Sequence, residues 1–305
     1  MHMRMVPMQF PRRSVVLPVA VGSALALAAC AAPGGMDGDG GRVPGGTDAL
    51  QVLTSFYPLQ YVTERIGGPD VSVTNLTPRG AEPHDLELSP VDILSIESSD
   101  VFVYLSGFQP AIDDALAQTE GPRVLDVAGT ADLQEDGDPH FWLDPIRLAV
   151  VGDTIAATLA EADPQDAATF IANAAELRGD LTDLDEEFST TLATCERDVV
   201  VVSHEAFGYL TGRYDLEQVG ISGLDPESEP SPARLAEIRD IVEREGVTTV
   251  FTETLVSPKV AEVIAADLGV DVATLDPIEG LVDDSTDYLA VMRANLEALT
   301  AALGC

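Results

Sequence analysis

Two sets of four short β-branched runs, separated by a long helical stretch that no proline interrupts, constrain this chain more than any other feature. The first set is LQVLTSF (50–56), VSVTNL (71–76), DVFVYL (100–105) and RVLDV (123–127). The second is DVVVVS (198–203), LEQVGI (216–221), VTTVFTE (247–253) and VDVATLD (270–276). Apolar runs this short, alternating with helical patterns, suit strands buried on both faces of parallel sheets. Helices fit at about 58–66, 90–98, 110–118, 145–161, 232–245, 257–268 and 284–302, several opened by Pro or Ser as helix starts should be. The expected fold is therefore α/β: two lobes, each a four-stranded mainly parallel sheet with flanking helices.

Between the sets, Phe170, Leu177, Leu181, Leu184, Phe188 and Leu192 recur at spacings of three, four or seven. Proline at the start and none inside support one helix over 164–195, roughly 45 Å long at ~1.5 Å per residue. Gly179 weakens it by up to ~1 kcal/mol relative to Ala. A single rigid helix joining lobes at 49–163 and 196–305 predicts little movement between them.

The N-terminus is a separate matter. Arg12 and Arg13 precede an apolar run from Val15 to Ala29 that ends in LAAC, too short for a membrane span and with small residues just before a cysteine. Residues 1–29 are read as a cleaved lipoprotein signal, Cys30 as the lipidated residue and 30–48, rich in Gly, Pro and Asp, as a flexible tether. The mature protein is then extracytoplasmic and anchored to the membrane by lipid. Removing the signal leaves 276 residues and takes the formal charge from −36 to −39. A chain this acidic is excluded as a nucleic-acid binder, and its acidity reads first as solubility. Cys195 and Cys305 remain, in a compartment that permits disulfides, and are expected to pair.

Apart from His2 in the signal, the chain has three histidines, His84, His140 and His204, and each follows or ends a strand run. Doubly wound sheets gather ligands at that edge. Asp276 ends the last run in the same way. Singly, such a histidine is ordinarily a hydrogen-bonding residue and an Asp before Pro a turn former. Together, three neutral imidazoles and one carboxylate complete a tetrahedral Zn(II) shell at ~2.0–2.2 Å. Pro83, Pro139, Pro145 and Pro277 stiffen the loops. Phe141 and Trp142 are expected to pack behind His140, and Glu253 to stand behind the ligands. His204-Glu205 begins like the HExxH helix of zinc proteases, but the fifth place is Gly208. No serine elbow, phosphate loop or CxxC pair makes a positive case for catalysis.

These segments resemble a family, the zinc and manganese substrate-binding lipoproteins of ABC transporters. The resemblance lies in FYPLQYVTERIGG, EPHDLELSP around His84, DPHFWLDP around His140, VVSHEAFGYL around His204, GISGLDPESEPSPARL, FTETLVSP and LDPIEG, in order from residue 50 onward. It implies two α/β lobes joined by a long helix, a metal held in the cleft between them, and delivery by a monomer to a membrane permease driven by a cytoplasmic ATPase. It also carries the family's ligands onto His84, His140, His204 and Asp276. Manganese-binding members typically have Glu at the third position. His204 there, with two other imidazoles, favours Zn(II) over Mn(II). The histidine-rich loop of many zinc-type members is replaced by GTADLQEDGDP (129–139). The alternatives to zinc capture are a Mn(II)-binding transporter component or metal-dependent adhesin and, further off, a zinc hydrolase using Glu205 as base.

Overall fold

The computed structural model describes residues 49–119, 121–134, 137–282 and 285–305. All lie within one compact unit, Val43–Cys305. The signal, the tether, Cys30 and the acidic pair Glu135 and Asp136 lie outside the described residues.

All eight expected strands are present. The first sheet contains β1 (Leu50–Thr54), β2 (Val71–Asn75), β3 (Val101–Tyr104) and β4 (Arg123–Asp126) in the order β2-β1-β3-β4, every pair parallel. The second repeats it with β5 (Val199–Val202), β6 (Glu217–Gly220), β7 (Thr249–Thr252) and β8 (Asp271–Thr274) in the order β6-β5-β7-β8. Central strands β5 and β7 are buried at every residue, whereas edge strand β8 is mostly exposed. That is why VVVV and TVFT read as continuous apolar runs.

The helices are α1 (Tyr57–Gly67), α2 (Pro90–Ser98), α3 (Pro110–Leu116), α4 (Ala128–Ala131), α5 (Pro145–Ala162), α6 (Ala167–Leu192), α7 (Gly208–Arg213), α8 (Pro232–Glu245), α9 (Lys259–Leu268) and α10 (Tyr288–Leu303). Their starts follow side-chain chemistry. Ser89 and Asp92 form a reciprocal capping box, and Asp144, Ser231 and Asp287 each accept backbone N–H groups of the first turn. The Asp287 cap explains why α10 begins four residues later than the pattern suggests. The short α4 and α7, and the 3-10 turn at Phe141–Leu143, were not expected.

The joining helix α6 has 26 residues, about 39 Å at 1.5 Å per residue, and is shorter at both ends than 164–195. Phe170, Leu177, Leu181, Leu184, Phe188 and Leu192 are all buried. They belong to one continuous core that takes Val52 and Val103 from the first sheet and Val200, Val202 and Phe251 from the second, with Trp142 and Tyr288 between. Each sheet has a smaller cluster on its other face. The inner faces thus share a core, and sliding one sheet past the other would expose it.

Beyond α6, Cys195 and Cys305 are in bonding contact, and the N–H groups of Glu196 and Arg197 donate to Leu303 O at 3.1 Å.

Candidate metal centre

The carboxyl ends of both sheets converge on one group of side chains. His84 comes from the irregular segment between β2 and α2, His140 from the segment between α4 and α5, and His204 from the turn two residues after β5. A carboxylate from the segment after β8, Glu279, completes the group, and the four ligand atoms all lie within 4.8 Å of one another. Glu279 Oε1 is 2.8 Å from His140 Nε2 and 3.4 Å from the Nε2 atoms of both His84 and His204. His140 and His204 are fully buried, whereas the His84 side chain keeps 16% of its surface.

A second layer holds the rings. Asp138 Oδ1 accepts from His140 Nδ1 at 2.7 Å and from the His140 backbone N–H at 2.9 Å. Glu253 does the same for His204, accepting from Nδ1 at 2.7 Å and from the backbone N–H at 3.1 Å, and it also accepts from Ser203 Oγ. With Nδ1–H committed to a carboxylate, each neutral ring aims its Nε2 lone pair into the group. The α7 helix matters here. Its Tyr209 hydroxyl donates to Asp138 O, and a Cβ on Gly208 would stand 2.6 Å from Asp138 Oδ2. Only glycine lets this carboxylate sit where it does. The His84 ring instead packs edge-on against Phe108, ring centroids 4.7 Å apart.

Trp142 ties two of the loops together. Buried 5.2 Å from the His140 ring, it donates through Nε1 to Pro277 O at 2.7 Å and accepts from the Tyr288 hydroxyl through its own carbonyl at 2.6 Å.

The carboxylate the structure brings to the histidines is Glu279, three residues beyond the expected Asp276. Asp276 is occupied elsewhere: Oδ1 accepts from Ile278 N–H at 2.8 Å and Oδ2 from Thr254 Oγ1 at 2.9 Å. Asn295 of α10 clamps its backbone, accepting from Asp276 N at 2.8 Å and donating to Asp276 O at 2.7 Å. This turn holds Ile278 at φ +57, a left-handed conformation that β-branched residues rarely adopt. The reversal swings Glu279 inward. Asp276 is the turn former that an Asp before Pro ordinarily is, and LDPIEG carried the inward carboxylate all along.

Residues 52–302 match the family model described as zinc-uptake complex component A periplasmic, ZnuA. The chain belongs to this family. Among curated ZnuA-type relatives it is 34% identical over 284 residues to the zinc-binding protein AdcA of Streptococcus pyogenes serotype M3, covering 82% of this chain and 55% of AdcA. It is 33% identical over 282 residues to the high-affinity zinc uptake system protein ZnuA of Bacillus subtilis, covering 84% of this chain and 88% of that one. The chain thus spans about half the length of the AdcA relatives. The laminin-binding protein Lmb of Streptococcus agalactiae superposes with a TM-score of 0.79 at 34% identity, covering 84% of this chain and all (100%) of that one. The Zn(II)-bound ZnuA-like domain of Streptococcus pneumoniae AdcA does so with 0.74 at 31%, with the same coverage.

In this ZnuA-family chain Glu205 stands away from the group. Its side chain lies over Gly220 and faces Arg234, whose guanidinium is 3.7 Å away. Glu205 is thereby not aimed at the histidines, and the curated relatives are named for zinc binding and uptake rather than for a reaction.

Charge in the group is set by crowding. Burial raises the Glu279 carboxylate, yet hydrogen bonds from His140, His204 and His84 outweigh it and hold Glu279 well below the ordinary range. Burial lowers the His204 imidazolium, but Glu253 and then Glu279 overcome it and push His204 up to about 10. His140 is raised in the same way, against burial, by Asp138 and Glu279. Glu82, pushed up to about 8 by burial and then by the Glu279 charge, stands at the same group. Without a metal, this site holds protons.

Proposed function

We propose that this protein captures Zn(II) outside the cytoplasm and hands it to an ABC permease driven by a cytoplasmic ATPase. The observation that carries the reading is three imidazole nitrogens and one carboxylate oxygen within 4.8 Å, from loops at the ends of both sheets. Neighbouring donors of a tetrahedral zinc shell stand about 3.3–3.6 Å apart. The Nε2 atoms of His140 and His204 are 3.4 Å apart, and Glu279 Oε1 is 3.4 Å from those of His84 and His204. The ligands are His84, His140, His204 and Glu279. The names of the relatives, zinc-binding and zinc-uptake proteins, support the same cargo.

Capture exchanges protons for metal. Imidazoles that are protonated against Glu279 must release those protons before their Nε2 atoms bind, while Asp138 and Glu253 keep the rings aimed. A nitrogen-rich donor set favours Zn(II) over Mn(II). Four protein donors fill a tetrahedral shell and leave no position for the activated water that hydrolysis requires. Residues 49–163 and 196–305 act as the two lobes on the 164–195 connector, and docking to the permease loosens the loops that meet between them. We further read residues 1–29 as a signal, Cys30 as the lipid anchor, 30–48 as the tether, the Cys195–Cys305 bond as formed in the mature chain, and the working unit as a monomer.

The test is competitive titration of the metal-free full chain with Zn(II) and Mn(II). Tighter Zn(II) binding is expected; equal or tighter Mn(II) binding would overturn the assignment. A role at the cell surface beside metal capture is the second reading. It rests on the likeness to Lmb, described as a bifunctional protein with adhesin and metal-transporting activity. Failure of the full chain to bind immobilised laminin would remove it.

A further inference from the structure

The chain has a single tryptophan, and it sits where the loops of the metal group meet. The Trp142 indole is fully buried, with its ring centroid 5.2 Å from that of His140 and 4.8 Å from that of Phe56. It also packs against Phe108, which in turn meets the His84 ring. An indole N–H buried among aromatic rings needs an acceptor, and here it takes Pro277 O at 2.7 Å, in the segment after β8. Helix α10 holds both ends of this contact. Its Tyr288 hydroxyl donates to Trp142 O at 2.6 Å, and its Asn295 grips Asp276 through both backbone atoms. The indole N–H closes the remaining gap, between Pro277 and the His140 loop. Glu279 follows Pro277 by two residues, across the left-handed turn at Ile278. Proline fixes its own φ, so the position of the Pro277 carbonyl is passed on to Glu279 with little slack.

We propose that Trp142 is a positioning residue that latches the site: its indole N–H holds Pro277 O and so keeps Glu279 closed on His84, His140 and His204. The proposal rests on the metal-capture reading and deepens it, by naming the contact that sets how long the ion stays. The histidines are aimed without the latch, His140 by Asp138 and His204 by Glu253. Glu279 has no such brace behind it and takes its place from the turn that begins at Asp276. An ion can therefore reach the imidazoles whether or not the turn is closed, whereas departure requires Glu279 to let go. A contact made only in the closed state slows release and leaves capture almost unchanged. The permease, in this account, frees the ion by drawing Pro277 away from Trp142, while Asn295 keeps the rest of the turn on α10.

The experiment measures Zn(II) association and Zn(II) release into excess chelator by stopped flow, on the full chain and on two forms altered at position 142. One carries benzothienylalanine, which keeps the shape of the indole but has sulfur in place of the N–H. The other is Trp142→Phe, which keeps an aromatic ring and also loses the donor. Both are expected to release Zn(II) roughly 10- to 100-fold faster, the loss usual when a partner around a metal is removed, with association near the parent rate. Because the latch acts through Glu279, the acceleration is expected to vanish when the benzothienyl form is made in a Glu279→Gln background. Parental release from the benzothienyl form, or an acceleration that persists in full without the Glu279 carboxylate, would show that Trp142 serves packing alone, and the proposal falls. A parent chain that binds no Zn(II) overturns the metal-capture reading itself, and this one with it.

Discussion

The Nε2 atoms of His140 and His204, one from each half of the molecule, stand 3.4 Å apart with both Nδ1 atoms directed at carboxylates. If both rings are neutral, two lone pairs face each other, and only a proton or a metal cation between them makes the arrangement favourable. Each ring is therefore needed. Replacing His140 or His204 by Ala is expected to weaken zinc binding by more than the ~10- to 100-fold typical of losing an orienting partner. Calorimetric titration of the variants against the parent measures this, and retained parental affinity in either would sink the ligand assignment.

The carboxylates behind the rings have a smaller, separable effect. Asp138→Asn and Glu253→Gln keep an acceptor for the histidine backbone N–H but lose the charge that orients Nδ1–H. Each is expected to cost about 10- to 100-fold in zinc affinity with the fold intact. Gly208→Ala is expected to act in the same direction, since its Cβ would crowd Asp138 Oδ2 at 2.6 Å. Circular dichroism beside the titration separates loss of aim from loss of fold.

Glu279 and Asp276 can be told apart by paired substitution. Glu279→Gln removes the anion that three imidazoles surround and is expected to reduce zinc affinity severely. Asp276→Asn keeps an acceptor for Ile278 N–H and Thr254 Oγ1, so affinity is expected to stay near the parent value. The opposite ranking would return Asp276 to the metal and displace Glu279.

This pair also marks where the sequence stopped being legible. The strands and most helix starts could be read because their causes are local: β-branched runs, and caps such as Ser89 and Asp144 set just before a proline. The three histidines could be read because imidazoles are so few in the chain. The fourth corner depends on a backbone reversal at Ile278, held by Asn295 from a helix 19 residues further on than Asp276. No periodicity reports such a contact. The α7 helix was missed for a similar reason: its six residues carry no amphipathic repeat, and its place is set by packing beneath Asp138.

The charges of the metal-free site move its pH dependence upward from the ordinary imidazole range. His204 is raised to about 10 and so holds its proton at neutral pH in the absence of metal, and His140 is raised in the same direction by Asp138 and Glu279. Zinc binding at pH 7 is expected to release protons, seen as calorimetric enthalpies that vary with the ionisation enthalpy of the buffer. Stability follows the same linkage. A folded-state pKa above the unfolded value of ~6.5 stabilises fully below that pH, and the contribution is lost as pH rises through about 10. The metal-free protein should therefore lose this increment between pH 6.5 and 10 while zinc affinity grows. The zinc-induced rise in melting temperature is expected to widen from pH 6 to pH 9, and a constant rise across that range would contradict these charge states.

Bonded as proposed, Cys195 and Cys305 would close a loop of 110 residues that contains the whole second sheet. In a chain-entropy account, a cross-link of that span is worth up to about 4–5 kcal/mol, with ~2–4 kcal/mol typical of measured bonds. Cys195 precedes β5 and Cys305 follows α10, so the link lies at the edge of the sheet where its strands begin. The metal group lies at the edge where they end. Stability and binding should consequently separate. Cys305→Ser, or reduction of the full chain, is expected to lower the melting temperature while leaving zinc affinity near the parent value at temperatures where the variant is folded. Affinity that falls along with stability would mean that the shared core transmits the loss of the cross-link to His204 and Glu279, and that the second half of the molecule does not hold its ligands unaided.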